Sequence, residues 1–283
     1  MSQEPGDAFA HCEALVREHD RDRFFATLFA PADKRPHLFA LYAFSYEVAR
    51  VRETVSAPLP GEIRLQWWRD ALEGQGHGDV GANPVAAALL ATVERYRLPR
   101  EALTALVDAR VFDLYDDPMP DLNDLEGYCG ETSSVLIRLG SLVLADGADP
   151  GFAAQAGQAG VAYALTGLLR AFAGHAARGQ VFVPADVLER HGVSREIVTA
   201  GQDGPGVRAA LGELRALARR RYAEAFTKPL AAAIAPAFLP AVLVPAYLNL
   251  MERREYEPFR THVELAPWRR QWVLWRAARR IAG

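Results

Sequence analysis

Apolar residues recur every three or four positions along most of the chain, which is the spacing of amphipathic helices. Pro36 can occupy the first turn of a helix that continues to Val55. A second helix is predicted over residues 62–74. Further helices are expected to begin near Pro84, Arg100, Leu122, Pro150 and Val207. Strand patterns are scarce, so the sequence predicts a single all-α domain over residues 1–283, with roughly ten helices around one core.

Two nearly uncharged segments are predicted to lie at the centre of this bundle. Residues 229–251 carry no charge, and their length and apolarity would suit a membrane-crossing helix. Pro236, Pro240 and Pro245 interrupt the segment, however, and a proline inside a helix costs roughly 3 kcal/mol. Two short buried helices around a proline break are therefore predicted, with no transmembrane helix. In residues 151–174, Gly and Ala would let neighbouring helices approach closely.

The composition is that of a globular protein, and it argues against several classes. Half of the residues are hydrophobic (50%), 24% are charged, and the formal net charge is -3. This near balance argues against a nucleic-acid partner, since such proteins are usually basic. Cys12 and Cys129 form no CxxC pair, which fits a reducing compartment. The first twenty residues lack the apolar stretch of a signal peptide, so a bacterial cytoplasmic protein is expected.

Several short motifs, ordered along nearly the whole chain, resemble the squalene/phytoene synthase family of head-to-head prenyl transferases. They lie at residues 24–31, 65–69, 165–170 and 177–184. The resemblance implies the isoprenoid-synthase fold, an all-α helical bundle with a central hydrophobic cavity. It also implies two Asp-rich motifs. Their carboxylates, four residues apart on one helix face, hold Mg²⁺ ions that bind the substrate diphosphate.

Both Asp-rich motifs are degraded in this chain. At the first motif, Ala49 and Arg50 replace the leading aspartates, and Glu53 is the carboxylate that is left. At the second motif, Ala171 and His175 replace both aspartates. Alanine offers no ligand, a guanidinium repels a divalent cation, and imidazole suits Zn²⁺ better than Mg²⁺. We therefore expect no catalytic residue, no metal site and no cofactor, with Mg²⁺ required only if the chain is an enzyme after all.

A non-catalytic branch of the same family, which includes NADH dehydrogenase (complex I) assembly factor 6, resembles the chain more closely. The shared positions include Phe44, Glu47, Ala49, Val51, Val55 and Ser56. This resemblance implies an inactive protein that assists assembly of respiratory complex I by binding a protein or a lipid. Its expected partners are a complex I subunit or assembly intermediate and an isoprenoid or lipid ligand. The alternative is an active prenyl transferase that condenses isoprenoid diphosphates.

Charged and aromatic side chains near the expected cavity form a candidate cavity-lining or anion-binding set. Its members are Tyr42, Glu47, Arg50, Arg64, Glu131 and Arg170. Internal ion pairs are the simpler interpretation of the charges, because an unpaired buried charge is costly. The alternative is a pocket that binds an anionic lipid or a diphosphate without turning it over.

An acidic cluster is a weaker candidate for a replacement metal site. Asp113 and Asp117 are four residues apart, but Pro118 disfavours a helix at the position before it. The cluster is therefore predicted to end a helix and to open a turn.

The last segment predicts an amphipathic helix with Trp268, Trp272 and Trp275 at helical spacing and the arginines largely on other faces. The simpler interpretation is a helix docked on the core with its arginines in solvent. The alternative is peripheral contact with the cytoplasmic face of the bacterial inner membrane. Basic helices that contain Trp can lie in the interface of an anionic bilayer.

Overall fold

The computed structural model describes residues 5–76 and 78–282, and no strand occurs within these ranges. The described residues form sixteen α-helices: α1 (Pro5–His19), α2 (Arg21–Thr27), α3 (Arg35–Ala49), α4 (Pro58–Glu73), α5 (Pro84–Tyr96), α6 (Arg100–Ala109), α7 (Leu122–Cys129), α8 (Val135–Leu144), α9 (Ala153–Arg170), α10 (Phe172–Ala177), α11 (Ala185–Arg190), α12 (Arg195–Thr199), α13 (Pro205–Ala225), α14 (Ala235–Val242), α15 (Val244–Met251) and α16 (Pro267–Ala282). The prediction of an all-α chain is confirmed.

Prolines and polar caps determine where helices begin. α4 begins at Pro58, four residues before its predicted start, because Pro58 and Pro60 fit a first turn in which backbone N–H groups have no helical acceptor. The predicted start of α5 is confirmed. Asn83 caps it, since its side-chain oxygen accepts hydrogen bonds from the backbone N–H groups of Val85 and Ala86, both at 3.0 Å.

The end of α3 differs from the prediction in a way that matters for the first Asp-rich motif. The helix stops at Ala49 and not at Val55, and a 3₁₀ turn over Val51–Thr54 follows it. Glu53 therefore lies outside the helix that carries Ala49. The two positions do not share a helix face, as a pair of metal-binding carboxylates four residues apart would require.

The central helix α9 packs against α8, against α13 and against a π-helical turn over Gly130–Ser134 that joins α7 to α8. Gly160 makes the last of these contacts possible, because a Cβ atom there would lie 2.2 Å from the Cα atom of Ser134. The Ser134 hydroxyl donates a hydrogen bond to the carbonyl of Gly157 at 2.7 Å. The expectation that small residues let helices approach closely here is confirmed.

The charge-free segment forms the two short helices that were predicted around a proline break. α14 ends at Val242 and α15 begins at Val244, with Pro245 in its first turn. Among the described residues, Ala232–Met251 is the one stretch that is long and apolar enough to cross a membrane. Its most apolar window is 72% buried inside the protein, which is typical of the core of a globular bundle.

One of the two lysines of the chain is buried. Lys34 precedes α3, is 6% exposed, and forms an ion pair with Asp146. Its ammonium group lies 4.9 Å from the centre of the Tyr96 ring. The ion pair of Lys34 with Asp146 therefore connects the start of α3 to the turn after α8.

The last helix docks on α14 and α2 through a buried arginine. Arg270 is 1% exposed, and its Nε atom donates to Asp22 at 2.6 Å. It also forms an ion pair with Glu264. The Tyr247 hydroxyl donates to the same Asp22 carboxylate at 2.8 Å. One turn after Arg270, Leu274 is fully buried, so these two residues define the inner face of α16.

The tryptophans of α16 lie in solvent. Trp268, Trp272 and Trp275 are 70%, 52% and 41% exposed. The expectation of a docked helix with all its arginines in solvent is wrong for Arg270. The Arg270 guanidinium is buried because it neutralises the buried carboxylate of Asp22.

We expect the substitution Arg270→Met to destabilise the fold by about 3–5 kcal/mol, because it leaves the buried Asp22 carboxylate without its nearest cation. Urea-induced unfolding followed by circular dichroism measures this change. Arg276→Met is the matched control, since Arg276 is an exposed arginine on the same helix and its loss should cost no more than about 0.5 kcal/mol. Equal midpoints for the two variants would contradict a structural role for the buried pair.

Candidate functional site

A cavity of about 200 Å³ opens between α2, α3, α7, α9 and α15. Three arginines and three tyrosines line it: Arg23, Arg110, Arg170, Tyr128, Tyr163 and Tyr247. Hydroxyl groups of Ser45, Thr132, Ser133 and Thr166 complete the polar part of the wall. The cavity is therefore rich in hydrogen-bonding groups, although it lies inside an apolar bundle.

Each guanidinium at the cavity is paired with at least one carboxylate. Arg23 pairs with Asp20 at 3.0 Å, Arg110 with Asp113 at 2.9 Å, and Arg170 with Asp22 at 3.3 Å and Glu264 at 3.0 Å. These distances favour the interpretation of the buried charges as internal ion pairs. The wall presents many donors but little net positive charge.

Tyrosines contact the members of these pairs. The Tyr128 hydroxyl accepts a hydrogen bond from Arg110 and donates one to Asp113, both at 2.7 Å. The guanidinium of Arg170 lies 3.8 Å from the centre of the Tyr247 ring. Burial raises the pKa of both Tyr128 and Tyr247 above the usual range. The phenols therefore keep their protons at neutral pH and act as hydrogen-bond donors.

At the first degraded motif, each carboxylate lies beside a guanidinium. The guanidinium of Arg50 lies 3.5 Å from the Glu47 carboxylate, and Glu53 lies 3.6 Å from Arg178. Ala49 has no donor atom. Cations thus stand beside Glu53, the one motif carboxylate that is left, and beside the neighbouring Glu47, and these residues do not fit Mg²⁺.

At the second degraded motif, Ala171 is exposed and His175 is partly buried against apolar side chains. α9 ends at Arg170, and Ala171 forms the break before α10. The ring of His175 lies 4.8 Å from that of Phe182, and burial lowers the pKa of His175 to about 4. The cavity next to His175 has a volume of about 10 Å³, which is no more than one water molecule occupies. In the described part of the chain, no three His, Cys, Asp or Glu side chains are placed to hold a metal ion.

The structure brings part of the predicted cavity set together. Arg170 lines the cavity, and Tyr42 lies behind the wall, with the Arg23 guanidinium 5.2 Å from its ring centre. Burial raises the pKa of Tyr42 to about 12. Arg64, by contrast, is exposed and bonds to Thr54.

Glu131 also lies elsewhere. It is exposed on the π-helical turn and lines a separate surface groove together with Glu126 and Arg221. These two neighbours form an ion pair at 2.7 Å. The predicted acidic cluster ends a 3₁₀ turn, as expected, and its member Asp113 is buried against Arg110.

Sequence reasoning missed the roles of Asp22, Arg23, Arg110, Tyr247 and Arg270. The alternating charges at 20–23, directly before two phenylalanines, were a usable signal for buried ion pairs. A helical projection of α16 was another, because it places Arg270 on the same face as Leu274.

The arrangement of α3, α9 and the surrounding helices is the fold of isoprenoid synthases. A crystal structure of a dehydrosqualene synthase in complex with ligand superimposes with a TM-score of 0.81 at 20% identity, over 99% of this chain and 98% of that one. A squalene synthase from Alicyclobacillus acidocaldarius gives a TM-score of 0.72 at 23% identity, over 89% and 96%.

The squalene/phytoene synthase family model matches residues 16–276, so the chain belongs to that family. A relative from Rattus norvegicus, NADH dehydrogenase (ubiquinone) complex I, assembly factor 6, is 31% identical over 89% of this chain and 76% of its own. The human protein of the same name is 30% identical over 88% and 75%. A phytoene synthase from Thermus thermophilus is 28% identical over 74% and 71%.

The partly buried histidine of the second motif predicts a loss of stability in acid. Because the pKa of His175 is about 4 in the folded chain and about 6.5 in an unfolded one, the unfolded chain takes up more protons between these values. The contribution is fully present above pH 6.5 and is lost as the pH falls towards 4.

We expect His175→Gln to reduce the loss of unfolding free energy between pH 7.5 and pH 5 by about 1–2 kcal/mol. Urea titrations at the two pH values measure it. His262→Gln, at an exposed position, is the control and should follow the unmodified protein. An unchanged loss in the His175 variant would show that this ring is not the group that titrates.

Proposed function

We propose that the chain is a catalytically inactive squalene/phytoene synthase-like protein that assists assembly of respiratory complex I by binding. The observation that supports this proposal is the site itself. Where the family places its metal-binding carboxylates, the chain has Ala49, Arg50, Ala171 and His175, of which Arg50 pairs with Glu47 and His175 packs against Phe182. Relatives that match most of the chain are named for a role in complex I assembly, and that role is the one we assign.

The dimensions of the cavity favour a protein partner over a lipid held inside the chain. About 200 Å³ is less than the roughly 300–1,000 Å³ of ordinary ligand pockets. The neighbouring apolar space is almost filled. An isoprenoid or lipid ligand would require the cavity to widen. The partner we propose is therefore a complex I subunit or assembly intermediate that contacts the surface of the bundle.

We also propose that this binding takes place in the cytoplasm, with peripheral contact at the inner membrane. No cofactor is needed for such a role. Mg²⁺ belongs only to the rival hypothesis, in which the chain is a prenyl transferase.

The rival hypothesis is tested by following diphosphate release from farnesyl or geranylgeranyl diphosphate in the presence of Mg²⁺. We expect no release above the protein-free rate, because neither motif can hold the metal that stabilises the departing diphosphate. A phytoene synthase assayed in parallel is the positive control. Turnover at an ordinary enzymatic rate, about 1 s⁻¹ or faster, would overturn the proposal of inactivity.

The assembly role is tested by deleting the gene in its native host. We expect NADH:quinone activity of the membranes and the abundance of assembled complex I to fall at least several-fold, while succinate:quinone activity stays constant. Complementation with the unmodified gene should restore both. Glu53→Gln should restore them equally well, since it removes the one carboxylate left at the two motifs.

Two results would count against this assignment. Unchanged complex I in the deletion strain would remove the assembly role. A Glu53→Gln variant that is folded but fails to complement would point to carboxylate chemistry and would revive the enzymatic alternative.

A further inference from the structure

The outer face of α16 is a stripe of tryptophans that the fold does not use. At 3.6 residues per turn, Trp268, Trp272 and Trp275 fall within about 60° of one another, on the side opposite Arg270 and Leu274. The helix is held by those two inner residues. Nothing in its docking therefore requires large aromatic side chains on the other side.

The exposure of these side chains is considerable. Trp268, Trp272 and Trp275 are 70%, 52% and 41% exposed. The rings of Trp272 and Trp275 stack on each other, with their centres 5.1 Å apart. The guanidinium of Arg279 lies 4.9 Å from the Trp275 ring. Contiguous exposed apolar surface of this kind on a globular protein marks an interaction site.

The charge of the helix is entirely positive. α16 contains no acidic residue, and apart from Arg270 it carries Arg269, Arg276, Arg279 and Arg280. None of these four forms a salt bridge within residues 5–76 and 78–282. On the helical projection, the three at 269, 276 and 280 fall within about 40° and border the tryptophan stripe. In a chain of net charge -3, this is a local concentration of unneutralised cations.

Tryptophan and arginine without any carboxylate are the residues expected at a bilayer surface. The indole ring lies at the level of the lipid headgroups, where its apolar body is buried and its N–H group stays hydrated. Each nearby Arg adds electrostatic attraction to an anionic leaflet. The helix is already folded and fixed by Arg270, so binding would require no coil-to-helix transition.

From this combination we infer that α16 is a membrane-docking surface that takes an anionic phospholipid bilayer. The helix lies in the plane of the headgroups with Trp268, Trp272 and Trp275 inserted and the bordering arginines on lipid phosphates. The inference names the surface that makes the peripheral membrane contact of the proposed function, and it rests on that part of the proposal. Binding to vesicles requires no complex I, so the two can fail separately.

The test is sedimentation of the full chain with vesicles of mixed phosphatidylglycerol and phosphatidylcholine, and with vesicles of phosphatidylcholine alone. We expect binding to the anionic vesicles to be at least about tenfold tighter. Tryptophan fluorescence should shift to the blue on binding, and brominated lipids should quench it.

Three variants separate the contributions. The triple variant Trp268→Ser, Trp272→Ser, Trp275→Ser should lose at least about tenfold in vesicle affinity and all of the lipid-dependent fluorescence shift. The triple variant Arg269→Gln, Arg276→Gln, Arg280→Gln should lose the preference for anionic lipid. The control is Leu59→Ser with Ile63→Ser on α4, where the side chains are 65% and 62% exposed, and it should bind like the unmodified chain.

Two outcomes would overturn the inference. One is that the unmodified chain binds neither kind of vesicle. The other is that the tryptophan variant, with unchanged circular dichroism, binds vesicles as well as the unmodified chain does. If vesicle binding is absent and the tryptophan variant also fails to restore complex I in the deletion strain, the stripe is a protein-docking surface. Vesicle binding with an unaffected complex I would instead contradict the assembly role and leave the inference intact.

Discussion

A carboxylate that is buried has to be neutralised, and at Asp22 this requirement connects four helices. Asp22 belongs to α2. Its carboxylate oxygens accept hydrogen bonds from Arg170 of α9, Tyr247 of α15 and Arg270 of α16. Removing one member of such a network leaves the others desolvated and unpaired, so its members depend on one another. The cavity, the central helix and the docked last helix therefore share one set of charges.

The same compensation explains how the site differs from a prenyl transferase site. Metal ions would neutralise carboxylates there and keep a position free for the diphosphate. In this chain guanidiniums do the neutralising, and a guanidinium that already bonds a carboxylate has little attraction left for a phosphate. Arg50 beside Glu47, at the first degraded motif, illustrates the exchange. The fold of the family is kept, and the function that we propose for it uses the surface.

Local patterns predicted much of this fold, and long-range charge pairing explains what they missed. The proline break between α14 and α15 and the starts of α5, α6 and α7 depend on neighbouring residues, and these predictions are confirmed. Arg270 and Asp22 are 248 positions apart in sequence, so no local rule brings them together. The early end of α3 and the positions of Arg64 and Glu131 likewise depend on tertiary packing. The degraded motifs could be read directly, because they are short and contiguous.

The burial of Lys34 also bears on how a partner of this chain can be captured chemically. Amine-reactive cross-linkers need an accessible, unpaired ammonium group, and Lys34 is 6% exposed and paired with Asp146. Lys228, next to the end of α13, is then the one lysine side chain such reagents can reach. Contacts made through the tryptophan stripe would leave almost no amine cross-links. Photoactivatable groups placed in α16 suit this arginine-rich surface better, since the helix has neither lysine nor carboxylate.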